Sequence, residues 1–141
     1  MTQPTDMRWH QRFQNFEKAF NQLKSGLDRL DSLDDLAKEG VIQRFEYTLE
    51  LAWKTLKDYL EANQVIANFP KEVIRQAYNT NIIENGELWM EMLQNRNLLA
   101  HTYDEEIFNT SINNISKSYF KEIAALYSFF LNETGTKDDR Q

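Results

Sequence analysis

His10 and His101 are the only two histidines in the chain. His101 stands five residues after Arg96, in Gln94-Asn95-Arg96-Asn97-Leu98-Leu99-Ala100-His101-Thr102-Tyr103-Asp104. An arginine with a histidine is a sensible minimum for cleaving a phosphodiester without a metal. The guanidinium presents fixed donors to phosphate oxygens and stabilises their developing charge. The imidazole titrates near neutral pH, so it can take the proton of a ribose 2′-hydroxyl or protonate the leaving oxygen. Asn97 can add a hydrogen bond to the phosphate or orient the ring. Five helical steps leave Arg96 and His101 about 140° apart around an ideal helix, so one site can use both only if the helix ends near Ala100. The other account pairs Arg96 with an acidic neighbour and lets His101 cap its helix. An Arg and a His at this spacing arise easily by chance, so that account carries more weight on these residues alone.

Other candidates are weaker. His10 sits beside Trp9 at the start of the first apolar stripe and reads as a surface residue. Glu46 and Glu50 are one helical turn apart, a spacing compatible with metal ligation or acid–base work. No histidine accompanies them at ligand spacing, so an ion-paired face is the better account, with Arg44 and Lys54 as partners. Trp53 and Trp89 could stack bases, but they fall at apolar helical positions and read as core.

These residues sit in a chain of 141 residues with 16 Lys+Arg, 22 Asp+Glu and a net charge of −6. With 41% hydrophobic residues and 9 Phe, the chain has enough apolar surface for one core and is not of disordered composition. Only 4 Gly and 2 Pro are present, too few for a turn-rich sandwich or barrel. Cysteine is absent, which excludes disulfides and thiolate metal sites. The pI of about 4.9 argues against broad electrostatic binding to nucleic acid, so RNA chemistry would need a local basic site on an acidic body. Met1 to Trp9 is polar, unlike a signal peptide, and no run of 18 apolar residues occurs, so a cytoplasmic protein without a membrane span is expected.

Periodicity supplies the frame. Trp9, Phe13, Phe16, Phe20, Leu23, Leu27 and Leu30 alternate four and three apart, predicting a long helix from about Arg8 to Leu33 with Gly26 inside it. A second long helix is predicted from about Ala37 to Asn63, capped by Asp34-Asp35 and antiparallel to the first. Phe69-Pro70 restarts the chain into a short helix, Lys71 to Tyr78, and a second short helix carries Leu88, Trp89, Met92 and Leu93 towards Leu99. The last long helix begins near Asp104, or at a Thr102-x-x-Glu105 capping box. Its stripe is Phe108, Ile112, Ile115, Tyr119, Ile123, Leu126 and Phe130. The expectation is one all-α domain over residues 1–141, an antiparallel bundle of about five helices, three long and two short. Its core would run from about 8 to 132, with a frayed tail from 133 to 141.

Arg96-Asn97-x-x-x-His101 resembles the Arg-x4–6-His motif of HEPN domains, and Tyr103 extends it to the Arg-x4-His-x-Tyr form of HepT-type toxins. Arg44-Phe45-Glu46-Tyr47-Thr48-Leu49-Glu50-Leu51-Ala52-Trp53-Lys54 and Asn85-Gly86-Glu87-Leu88-Trp89 are similar to the subgroup called nucleotidyltransferase substrate-binding proteins. The resemblance covers nearly the whole chain. It implies a helical homodimer whose two Arg/His motifs face one cleft, encoded beside a minimal nucleotidyltransferase as a toxin–antitoxin pair. The implied activity is metal-independent endoribonucleolytic cleavage without a cofactor. Arg96 and His101 would be catalytic, with Asn97 supporting, and transfer of AMP to Tyr103 by the nucleotidyltransferase would silence the site. An AMP group there would block RNA by charge and volume, and two copies of Arg96 in one cleft would focus positive potential on an acidic body. The alternative implied role is a non-catalytic subunit presenting substrate to the nucleotidyltransferase.

Overall fold

The computed structural model describes residues 4–101 and 104–139, with side chains described for 6–99 and 104–135. Helix α1 spans Pro4–Asp28 and runs into a 3-10 turn at Leu30–Ser32. Helix α2 spans Asp35–Ala62, α3 Pro70–Asn79 and α4 Gly86–His101. Helix α5, Glu105–Asn114, continues through a π turn at Ile115–Tyr119 into α6, Phe120–Asp139. The described residues contain no strand, and the architecture is the expected all-α bundle. Its three long helical rods are α1, α2 and the continuous α5–α6, with α3 and α4 inserted between the second and third.

The breaks follow local chemistry. The Asp34 carboxylate accepts from the Ala37 N–H at 2.8 Å and starts α2. Pro70 occupies the first turn of α3, where no N–H is needed. Helices α2 and α3 end alike, each with a residue in the left-handed region, Gln64 at φ 70° and Asn81 at φ 65°. Beyond them the Val65 N–H donates to the Leu60 carbonyl at 2.8 Å and the Ile82 N–H to the Ala77 carbonyl at 2.9 Å. That closure satisfies carbonyls the helix leaves open.

Two expected ends move. Helix α1 stops at Asp28 rather than Leu33, and the 3-10 turn carries the chain onward. Ser32 Oγ donates to the Arg29 carbonyl at 2.7 Å, a local bond that competes with α-helical continuation, while Leu30 still packs against the core. At the other end, the tail expected to fray from 133 keeps a helical backbone to Asp139. No proline interrupts it, and one helical glycine, Gly135, costs only about 1 kcal/mol.

The α1 stripe, Trp9, Phe13, Phe16, Phe20 and Leu23, is buried against Phe45, Leu49, Ala52 and Leu56 of α2 and Ile123, Leu126 and Phe130 of α6. Phe130 stands 5.6 Å from the Trp9 ring and 5.7 Å from Phe13, while Phe20 stacks on Tyr127 at 4.5 Å. Helices α1 and α2 approach closely at Gly26, where an added Cβ would lie 3.2 Å from Val41 Cγ2. Polar ties fix their register: Arg12 Nε donates to the buried Asp58 carboxylate at 2.8 Å, and Arg44 Nη1 donates to the Gln22 carbonyl at 2.7 Å. Val73, Ile74 and Ala77 of α3 and Trp89, Met92 and Leu93 of α4 close the core from the other side. Among the described residues, no helix is long and apolar enough to cross a membrane.

Candidate functional site

Trp89, Met92 and Leu93 anchor one face of α4 in the core. Arg96 continues that face by one turn, which carries it to the edge of the core against α2. There Arg96 Nη1 donates to Glu50 Oε2. Glu50 also accepts from Trp53 Nε1 at 3.1 Å and from Lys54 Nζ at 3.0 Å, the latter on its other oxygen. A guanidinium, an ammonium and an indole N–H thus converge on one carboxylate. The Glu50, Arg96 and Lys54 side chains are each about a third exposed, at 32%, 33% and 38%.

The electrostatics of the two glutamates diverge. Burial alone would raise the Glu50 carboxyl, but the hydrogen bonds from Lys54 and Trp53 and the charges of Arg96 and Lys54 outweigh it and hold the group below its ordinary value. Glu46, one turn earlier, is pushed up by burial, which the charge of Arg96 offsets only in part. The expected ion-paired face is therefore present at Glu50 with Lys54. Arg44 takes no part in it; its Nη1 instead donates to the Gln22 carbonyl of α1.

Two ties brace α4 against the last helix near the site. Asn95 Nδ2 donates to Ser111 Oγ at 3.2 Å, while Asn95 Oδ1 is buried without a partner. Tyr119, in the π turn, donates its hydroxyl to Glu91 at 2.7 Å. Burial and the Glu91 carboxylate push that phenol well above its usual range. A π turn widens the helix locally and is often found at functional sites.

Of the motif residues, Arg96 stands against Glu50 as above, and Asn97 beside it is exposed. Helix α4 runs through His101, one residue past the end near Ala100 that a site shared by Arg96 and His101 requires. The His101 side chain and the whole of Thr102 and Tyr103 lie outside the described residues. The next helix starts at Asp104, whose carboxylate accepts from the Glu106 and Ile107 N–H groups at 2.9 and 3.2 Å. His10 is half-buried rather than a free surface residue: its ring stacks on Trp9 at 3.9 Å and bonds the Asp6 carbonyl at 2.6 Å. Trp53 and Trp89 are buried, as apolar positions predict. Arg96 does pair with an acidic residue, as the weightier sequence account expected, but sequence reasoning did not identify that partner as Glu50, 46 residues away. The signal was partial: Glu46, Glu50 and Lys54 at four-residue spacing mark one polar face of an amphipathic helix. Among the described residues, no group of three or more His, Asp or Glu is placed to hold a metal ion.

The arrangement offers two cations, one of them a guanidinium with further N–H donors, at a third of full exposure. Both cations are paired with one internal carboxylate, Glu50.

Known proteins share this chain's pattern. Residues 11–132 match the model of a family described as nucleotidyltransferase substrate binding protein like. A protein named probable ribonuclease HepT, from Haemophilus influenzae, is 30% identical over 79 residues, which cover 52% of this chain and 54% of that protein. The chain thus spans about half the length of that relative. A crystal structure of a Thermus thermophilus protein superposes with a TM-score of 0.70 at 31% identity, covering 84% of this chain and 97% of the other.

Proposed function

The chain belongs to the nucleotidyltransferase substrate binding protein-like family, and on that premise we propose that it is the HEPN toxin of a HEPN/minimal-nucleotidyltransferase pair, acting as a metal-independent endoribonuclease in the cytoplasm. The observation that carries this reading is the intact Arg96-x4-His101-x-Tyr103 motif, with Arg96 held at the core's edge five residues before the end of α4. The relative named a ribonuclease supports the reaction class. In this reading Arg96 stabilises the charge on the phosphate. His101 takes the proton of the ribose 2′-hydroxyl or delivers one to the leaving oxygen. Asn97, exposed next to Arg96, contributes a hydrogen bond to the phosphate. Tyr103 is the acceptor of an AMP group from the separately encoded nucleotidyltransferase, which silences the site.

The working unit is a homodimer that sets two such motifs across one cleft. Tyr47 on α2 and Leu98 on α4, three and two residues from Glu50 and Arg96, are 61% and 46% exposed and supply apolar surface for a second copy. Cleavage of RNA by purified protein in EDTA, with its intact mass recorded, tests the reading. Loss of cleavage in both Arg96→Ala and His101→Ala is the expected result; cleavage unchanged in His101→Ala overturns it.

A second reading is favoured by the Arg96–Glu50 pair, which neutralises the motif's arginine. In it the protein is a non-catalytic subunit that presents substrate to the nucleotidyltransferase, in keeping with the family description. It expects a stable complex with that enzyme and no cleavage by the unmodified dimer.

A further inference from the structure

Glu50 is an unusual occupant of its place. Three donors from two helices converge on it, two of them charged, and each of the charged ones is solvent-accessible. Arg96 makes no second hydrogen bond among the described residues, so most of its donor fork is uncommitted. A phosphate offers the same features as a carboxylate, negative oxygens spaced to accept from a guanidinium and an ammonium. Lys54 is one turn along α2 from Glu50, so its ammonium and the Arg96 guanidinium flank a single small anion. The local charge is balanced, with two cations against Glu50 and Glu46, and a bare phosphodiester approaching it meets no net attraction.

We propose that Lys54 and Arg96 form a phosphate-binding pair in which Glu50 is the resident counter-anion, displaced when an RNA phosphodiester binds. Lys54 is thus a binding residue of the site, and Glu50 is an internal competitor that weakens binding in the free protein. The identity of the anion as RNA rests on the reading of the site as a ribonuclease; the anion site itself does not. Displacement is feasible because the Glu50 side chain is about a third exposed with three rotatable bonds and Lys54 can release it into water, while the buried Trp53 Nε1 exchanges the carboxylate for an oxygen of the incoming phosphate. Removing the Glu50 charge while keeping an oxygen acceptor for Trp53 leaves the two cations opposed only by Glu46.

The test separates binding from cleavage. A fluorescein-labelled single-stranded 2′-O-methyl RNA, which lacks the hydroxyl nucleophile, is titrated into full-length wild type, Glu50→Gln, Lys54→Gln, Lys54→Arg and the Glu50→Gln/Lys54→Gln double variant. Loss of one opposing charge beside the phosphate makes binding to Glu50→Gln tighter by about tenfold at moderate salt. Lys54→Gln weakens it, Lys54→Arg retains it, and the double variant loses the gain. Binding to Glu50→Gln equal to or weaker than wild type overturns the proposal and makes Glu50 a support for Arg96 instead. A second readout needs no variant at Glu50: the Trp53 indole ¹H–¹⁵N resonance, assigned with Trp53→Phe, shifts as wild type is saturated with the oligonucleotide or with inorganic phosphate. A resonance that stays in place at saturation also overturns the proposal. Cleavage of ordinary RNA is scored separately. Tightened binding without cleavage by any form upholds the anion site and overturns the ribonuclease reading.

Discussion

Arg12 and Asp58 clamp α1 to α2 two turns beyond Glu50, and removing one partner should be far costlier than the pair itself is worth. Asp58 is 3% exposed and accepts from Arg12 Nε at 2.8 Å, whereas the Arg12 side chain is 35% exposed. The charge on Arg12 is therefore easily returned to water, and that on Asp58 is not. Arg12→Ala leaves a buried carboxylate without its cation, a change that costs about 3–5 kcal/mol. Against a total stability of about 5–15 kcal/mol, that is about a fifth or more of what holds the domain folded. At about 3 °C per kcal/mol for a chain of this size, the melting temperature should fall by about 10–15 °C. Asp58→Asn removes the charge but keeps an oxygen for Arg12, so it should cost only about 1–2 kcal/mol. The double variant Arg12→Ala/Asp58→Asn should then be more stable than Arg12→Ala alone. Urea unfolding of the four proteins, followed by far-ultraviolet circular dichroism, completes the cycle. A loss below about 1 kcal/mol in Arg12→Ala, typical of a surface pair, would refute the claim that Asp58 is held out of water.

Two further outcomes test the surroundings of the site. Burial raises the Glu46 carboxyl above its ordinary 4.5, so its contribution to stability is present below that pH and lost as pH rises through the folded value. Glu46→Gln should therefore melt higher than wild type at pH 7, with the advantage gone at pH 4; an equal or lower melting temperature at pH 7 means that Arg96 outweighs burial. Asp104 caps α5 through the Glu106 and Ile107 N–H groups, so Asp104→Ala should cost about 1 kcal/mol in urea unfolding, while Asp104→Asn costs a fraction of that.

The helices and most of their boundaries were legible because periodicity and capping act over a few residues. Asp34, Pro70 and Asp104 are local signals with local consequences, and each falls where the sequence puts it. The Trp9-to-Leu30 stripe was legible as a face, but not the change of hydrogen-bonding pattern after Asp28, because Leu30 packs against the core from the 3-10 turn as well. The motif was legible as residue types. Its setting was not, since the Glu50 carboxylate and the Arg96 guanidinium meet only through the packing of α2 against α4. The same is true of Arg44, whose neighbours along the chain suggested Glu46 or Glu50 but whose reach across α1 finds the Gln22 carbonyl.

The π turn at Ile115–Tyr119 changes how the last stripe should be drawn. From Ile112 to Phe130 there are 18 steps, five whole revolutions at 100° per residue, so a single helical wheel would point both in one direction. The wide turn absorbs close to one residue of that winding, an angular offset of about 100° between the two halves. Helix α5 accordingly faces α2 and α4, whereas α6 turns its rings towards α1. One uninterrupted row of apolar letters thus serves two differently oriented walls, and on the first of them Ser111 meets Asn95, the residue before Arg96.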